Sequence, residues 1–173
     1  MQFNDLVQKR RSIRKYTGQQ ISAENLHTIL RAGLMAPTGH NTRAWRFYVV
    51  TDKQQLIMLS QAKSIGAEFL KGANVAIVVA YDTSSETWIE DAAIAAITMQ
   101  YQAADLGIGS TWAQLRGRTT AEGESTHDYL QRLLHIEDGF EVVCALGLGY
   151  AQEERKLQDE NKLAWDKVLG LPS

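Results

Sequence analysis

The chain has 173 residues, 45% of them apolar and 22% charged, with a formal net charge of -2; this fits one folded domain and excludes a chain too polar to bury a core. A single cysteine, Cys144, permits no intramolecular disulfide, and the slightly acidic balance disfavours a nucleic-acid binder. The longest apolar stretch, IEDAAIAAITMQYQAADLGIG, carries Glu90, Asp91 and Asp105, so it falls short of the roughly 20 uncharged residues that a bilayer span needs.

The start, MQFNDLVQKRRS, lacks the apolar region of a signal peptide, which makes the cytoplasm the expected compartment. Residues 3 to 11 predict a short helix with Asn4 as candidate N-cap and Leu6, Val7 and Arg10 at helical offsets. Ser22 caps a second helix whose apolar face is Leu26, Ile29, Leu30, Gly33 and Leu34, and Pro37 stops it. The polar loop PTGHNTRA then delivers the chain to WRFYVVT, a strand by its aromatic and β-branched content. Residues 53 to 71 read as helical, with a break at Gly66. VAIVVAY, residues 75 to 81, is a continuous apolar run of strand length and predicts a strand covered on both faces.

The helix from Trp88 to Leu106 has apolar residues on more than one stripe, so it is expected to be buried nearly all round, with a dimer interface as the second cover. LGIGSTW gives a turn and short strand, residues 125 to 135 an amphipathic helix, and EVVCALGLGY a strand with Cys144 in its core. The tail AQEERKLQDENKLAWDKVLG holds only sparse hydrophobics, Leu157, Leu163, Trp165, Val168 and Leu169, too few to order it alone. It is expected to wrap on its own domain or on a partner.

Local spacing offers little chemistry. The histidines His27, His40, His127 and His135 form no HExxH, and GxSxG, GxGxxG and GxxxxGK[ST] are all absent. What remains is QKRRSIRKYTG, with Lys9, Arg10, Arg11, Arg14 and Lys15 close together. Three readings stay open: a solvated face, a nucleic-acid patch, and a phosphate site in which Arg10 and Arg14 share a helical face with Ser12 between them.

RRSIRKY, APTGHNTRAWRF, ADLGIGSTW and LGLGYAQEERK are similar, in order and spacing, to the FMN-dependent nitroreductase family, and the resemblance covers nearly the whole chain. It implies an α+β fold with three layers, α/β/α, around a mixed, mostly antiparallel sheet, made as an intertwined homodimer with FMN at the subunit interface. Residues 1–173 then form one FMN-binding domain, and 151–173 a C-terminal extension wrapping on the partner.

By the same resemblance, Arg10, Arg11, Ser12 and Arg14 hold the flavin phosphate and ring edge, and Arg155 and Lys156 complete the phosphate site. Pro37, Thr38, Gly39, His40 and Asn41 match the loop laid on the flavin by the other subunit, whereas Arg43 and Ala44 depart from the usual Gln-Pro. Trp112, Gln114 and Leu115 match the segment beside the isoalloxazine, where a backbone N–H points at N5. The implied activity is ping-pong hydride transfer from NAD(P)H to nitroaromatic, quinone or related small-molecule acceptors, with no catalytic side chain and no metal, nucleic acid or membrane involved. The alternatives are a specialised flavin reductase or dehalogenase of the same fold, and a non-catalytic nucleic-acid or anion-binding module.

Overall fold

Strand β2 (Val75–Asp82) explains why VAIVVAY is apolar without interruption. Its side chains alternate between two separate cores, Val75, Ile77, Val79 and Tyr81 in one, Ala76, Val78 and Ala80 in the other. The computed structural model describes residues 2–170 and places β2 inside a four-stranded sheet. With β1 (Trp45–Val50), β3 (Gly109–Gln114) and β4 (Phe140–Gly149), the order is β1-β2-β4-β3.

Every pairing between these strands is antiparallel. The parallel component of the expected mixed sheet is one bridge, between Ser12 and Ser110. On one face α2 (Ala23–Leu34) and α4 (Trp88–Asp105) pack their Ile29, Ala92, Ala96 and Met99 against the sheet. On the other, Leu56 and Leu59 of α3 (Lys53–Ser60), Leu70, and Leu130 of α5 (Thr126–Leu134) close the second core. The fold is therefore α+β in three layers.

The sheet holds an irregularity. Val79 stands opposite Cys144 but Ala80 opposite Val142, so Val143 is an extra residue in β4. The carbonyl of Val143 receives two bonds, from Leu115 N–H and Arg116 N–H, both at 3.1 Å.

Local expectations fared unevenly. Ser22 caps α2 as expected, accepting from Asn25 N–H at 3.1 Å. Asn4 does not cap the first helix: α1 (Phe3–Lys9) begins ahead of it, with Leu6 N–H bonded to Gln2 O at 3.1 Å, so Asn4 lies inside. Residues 53 to 71 are not one helix either. α3 ends at Ser60 because its last turn tightens, Gln61 and Ala62 bonding to Met58 and Leu59 carbonyls, while Ser60 Oγ returns to Ile57 O at 2.7 Å. A single turn at Glu68–Gly72 follows.

α4 buries Ala92, Ala95, Ala96, Met99 and Ala103 but leaves Ile94 exposed on its outer side. Residues 151–170 are exposed throughout, Leu157, Leu163, Trp165, Val168 and Leu169 included. No helix among the described residues is long and apolar enough to cross a membrane.

Candidate functional site

The basic segment near the start of the chain is not helical where its spacing suggested. α1 stops at Lys9, and Arg10 is already extended (φ -61°, ψ 121°), so no helical face unites Arg10 with Arg14. The reason is the sheet edge. Ser12 bridges Ser110, Ile13 N–H donates to Ser110 O at 3.0 Å, and Thr111 Oγ1 donates to Ile13 O, which draws the segment out along β3. Ile13 is buried beneath it, and beyond it Tyr16 OH donates to Gly147 O at 3.1 Å and Thr17 N–H to Tyr150 O at 2.8 Å. Burial raises the pKa of the Tyr16 phenol well above its usual value, so it remains a donor.

Two glycines make this approach possible. A Cβ on Gly109 would lie 2.8 Å from Ile13 Cβ, and one on Gly149 would lie 2.8 Å from Tyr16 Cδ1. Both glycines come from GxG pairs that carry no nucleotide fingerprint. Their use here is to let a second stretch of backbone lie against the sheet.

Where this segment, the start of β3 and the start of the tail meet, they enclose a cavity of about 700 Å³. Lys9, Arg10, Arg11, Arg155 and Lys156 all line it, against two carboxylates, Glu153 and Glu154. Arg155 Nη2 is paired with Glu153 Oε1 at 2.9 Å, and Arg11 Nη1 donates to Lys156 O at 2.8 Å. Among the described residues, the side chains of Arg10 and Lys156 enter no ion pair. Converging like charges repel, and a bound anion relieves that repulsion. Ser12 and Arg14 follow directly in the chain but do not line the cavity.

β3 carries the site away from the cavity. Because Leu115 N–H is directed at Val143 of β4, alternation in the ladder turns the N–H and C=O groups of Ser110, Trp112 and Gln114 to the outer edge. The Ser110 carbonyl is taken by Ile13; Trp112 and Gln114 lie along the open remainder, with Trp112 Nε1 donating to Gln114 Oε1 at 3.2 Å. Leu115 is not brought to that edge. It is 1% exposed, and its N–H is used inside the sheet.

Pro37, Thr38, Gly39, His40 and Asn41 lie elsewhere. Their loop departs from ordinary backbone at three non-glycine residues, His40 (φ 51°), Asn41 (φ 57°) and Arg43 (φ 49°), a conformation costing about 1–3 kcal/mol per residue. Buried Asp91 and Tyr81 hold it: Asp91 accepts Gly39 N–H at 2.9 Å, and Tyr81 OH accepts Ala44 N–H at 3.2 Å. A Cβ on Gly39 would sit 2.2 Å from Thr87 Oγ1, so only glycine fits there. Inside the loop, Arg43 Nε donates to Asn41 Oδ1 at 2.8 Å.

Sequence reasoning named the loop but missed Asp91 and Tyr81 beneath it. A visible signal existed, a carboxylate on an otherwise apolar helix face. Gly39 is tied to the start of α4, while Ala104, near its end, lines the cavity. At 1.5 Å per residue that separation is roughly 20 Å. β1, which follows the loop, also lies three strand spacings from β3, about 14 Å. Within this chain the loop stands apart from both the cavity and the β3 edge.

Comparison with known proteins agrees with this architecture. The profile of the nitroreductase family matches residues 7–150. A protein of Archaeoglobus fulgidus, provisionally named an NADH dehydrogenase/NAD(P)H nitroreductase, is 34% identical over 87% of this chain and 86% of its own. An FMN-dependent nitroreductase from Clostridium difficile R20291 superposes with a TM-score of 0.91 at 41% identity, covering 94% of this chain and 95% of that one. A Clostridium acetobutylicum protein, provisionally named an NADH oxidase, gives 0.85 at 30% identity, covering 95% and 97%. With its three-layer fold, its basic cavity and a family match over most of its length, this chain belongs to the nitroreductase family.

Proposed function

We propose that the chain is an FMN-dependent NAD(P)H oxidoreductase acting as a homodimer, with the flavin at the subunit boundary. The cavity carries this reading. Five cations against two carboxylates, in a concave space of about 700 Å³, suit a phosphate dianion rather than a polyanion laid on an open face. The chemistry of the donors fits FMN: Arg10 and Lys156 take the phosphate, and Arg11 and Arg155 hold the tail beside it. Ser12 and Arg14 flank the ring's polar edge, and the outward N–H groups of Trp112 and Gln114 lie along the strand that leads from the phosphate.

The loop of Pro37, Thr38, Gly39, His40 and Asn41 reaches the flavin of the second subunit, which resolves its distance from its own cavity. Residues 151–173 wrap on that subunit as well, covering Leu163, Trp165, Val168 and Leu169, which stand exposed on their own protomer; residues 171–173 of this extension lie outside the described residues. Bound FMN supplies a two-electron carrier, taking hydride from NAD(P)H and passing electrons to a nitroaromatic, a quinone or a related acceptor in a ping-pong cycle. The protein's part is to bind, to orient and to favour negative charge beside its N–H donors and arginines. No side chain serves as an obligatory acid or base.

The test is the visible spectrum of the purified protein, before and after adding FMN, followed by anaerobic reduction with NADH and with NADPH. Flavin bands that bleach with at least one nicotinamide are expected. A colourless protein that takes up no FMN, and oxidises neither nicotinamide in the presence of a nitroaromatic or quinone, overturns the proposal.

A further inference from the structure

Asp91 is buried to 2% exposure on α4, and three donors converge on its carboxylate. Oδ1 accepts Gly39 N–H at 2.9 Å; Oδ2 accepts the hydroxyls of Thr87 at 2.9 Å and Tyr81 at 3.0 Å. With its proton committed to Asp91, Tyr81 Oη accepts from Thr42 Oγ1 at 2.7 Å and from Ala44 N–H at 3.2 Å. One buried carboxylate thus grips the loop at its beginning directly, and at its end through a tyrosine. Between those grips lie the three left-handed residues His40, Asn41 and Arg43.

An asparagine at 91 would turn an amide N–H₂ toward donors, so the site calls for an acceptor-only side chain. The loop's own bonds, Asn41 N–H to Thr38 O and Thr42 N–H to Gly39 O at 3.1 Å, and Arg43 N–H to Thr38 Oγ1 at 3.2 Å, are exposed to competition from water. They do not by themselves hold a left-handed run. The buried network of Asp91, Thr87 and Tyr81 does.

We infer that Asp91 is a positioning residue for flavin binding: through Gly39 and Tyr81 it sets the 38–44 loop, and with it Asn41, in its receiving shape before the second subunit's flavin is met. This rests on the proposal that the loop meets that flavin. Preorganisation of this kind raises affinity by removing an ordering step from binding.

The experiment is a double-mutant cycle on the full-length protein, combining Asp91→Asn with Asn41→Ala, read by FMN titration and by amide hydrogen exchange of the apoprotein. The informative amides are those of Asn41, Thr42 and Arg43, none of which bonds to Asp91. In Asp91→Asn they are expected to exchange at least about tenfold faster while β2 amides keep their rates, and FMN binding to weaken by about tenfold. In the Asn41→Ala background the same substitution is expected to change FMN affinity by less than about twofold.

Should Asp91→Asn fail to fold, Tyr81→Phe keeps the ring and the carboxylate, removes the Thr42 and Ala44 ties, and is expected to loosen the same amides. Unchanged loop exchange, or a loss of FMN affinity equal in both backgrounds, overturns the inference. Failure of the underlying reading has its own signature, in which Asn41→Ala alone leaves FMN affinity at the wild-type value while Asp91→Asn still loosens the loop. That result removes the link to flavin and traces the fault to the loop's proposed place.

Discussion

The Arg11 guanidinium donates to the Lys156 carbonyl at 2.8 Å, so a cation near the start of the chain holds backbone near its end. Arg10, its neighbour, lines the same cavity with no ion pair among the described residues. On the proposed reading the two arginines of one motif do different work, and substituting them separates the two roles. Arg10→Ala is expected to weaken FMN binding by about 10- to 150-fold, one charge-assisted bond of about 1.5–3 kcal/mol. Arg11→Ala is expected to cost less affinity but to quicken protease cleavage within residues 157–168. Fluorescence titration and timed limited proteolysis check both, and equal effects on both readouts would deny the division of roles.

Gly109→Ala is expected to destabilise the protein by about 1–3 kcal/mol, since the added methyl meets Ile13 Cβ and Cγ1 at 2.8 Å in a buried contact. The displaced Ile13 belongs to the segment that carries Arg10 and Ser12, so FMN affinity should fall with stability. Ile13→Ala removes the Cγ1 and Cγ2 contacts, so combined with Gly109→Ala it should cost less stability than the sum of the two single changes. Urea unfolding of the single and double variants, with FMN titration, reads the outcome.

Alkaline pH should unfold the chain in two stages. Burial raises the Cys144 thiol well above its ordinary value and raises the Tyr16 and Tyr81 phenols too. For an acid whose folded pKa is raised, stability is whole below the unfolded pKa; it drains as pH climbs toward the folded one, because only the unfolded chain releases its proton. With unfolded values of roughly 8.5 for cysteine and 10 for tyrosine, the urea midpoint should hold up to about pH 8.5, fall, and steepen above about 10. Cys144→Ala should delay the fall to the second stage. A decline that still begins at 8.5 in that variant would assign it to another group.

Much of the architecture could be read from the residues. An unbroken apolar run was enough for β2, because a strand buried on both faces has no polar side to show, and Ser22 announced the start of α2. The Asn4 cap and the long helix over 53–71 failed for local reasons, a helix that begins earlier and a last turn that closes on itself.

The site was legible in its members but not in its geometry. Arg10 and Arg14 were read on a helical face; they lie instead in an extended segment drawn out by a bridge to Ser110, a pairing across nearly one hundred positions that no local pattern encodes. Leu115 faced the same difficulty. Which N–H groups of β3 point outward depends on its register with β4, and Val143 fixes that register. Asp91 and Tyr81 were missed because a burial network appears only once α4 and β2 are side by side.

The exposed tail has a thermodynamic consequence. Arg155 and Lys156 line the cavity, yet from Ala151 to Gly170 every residue is exposed. If a second copy orders the tail, as proposed, self-association and flavin retention become two halves of one linked equilibrium. By reciprocity, the factor by which pairing tightens FMN is the factor by which FMN tightens pairing. On that reading dilution would strip the cofactor, and excess flavin would keep subunits together at concentrations where the apoprotein comes apart.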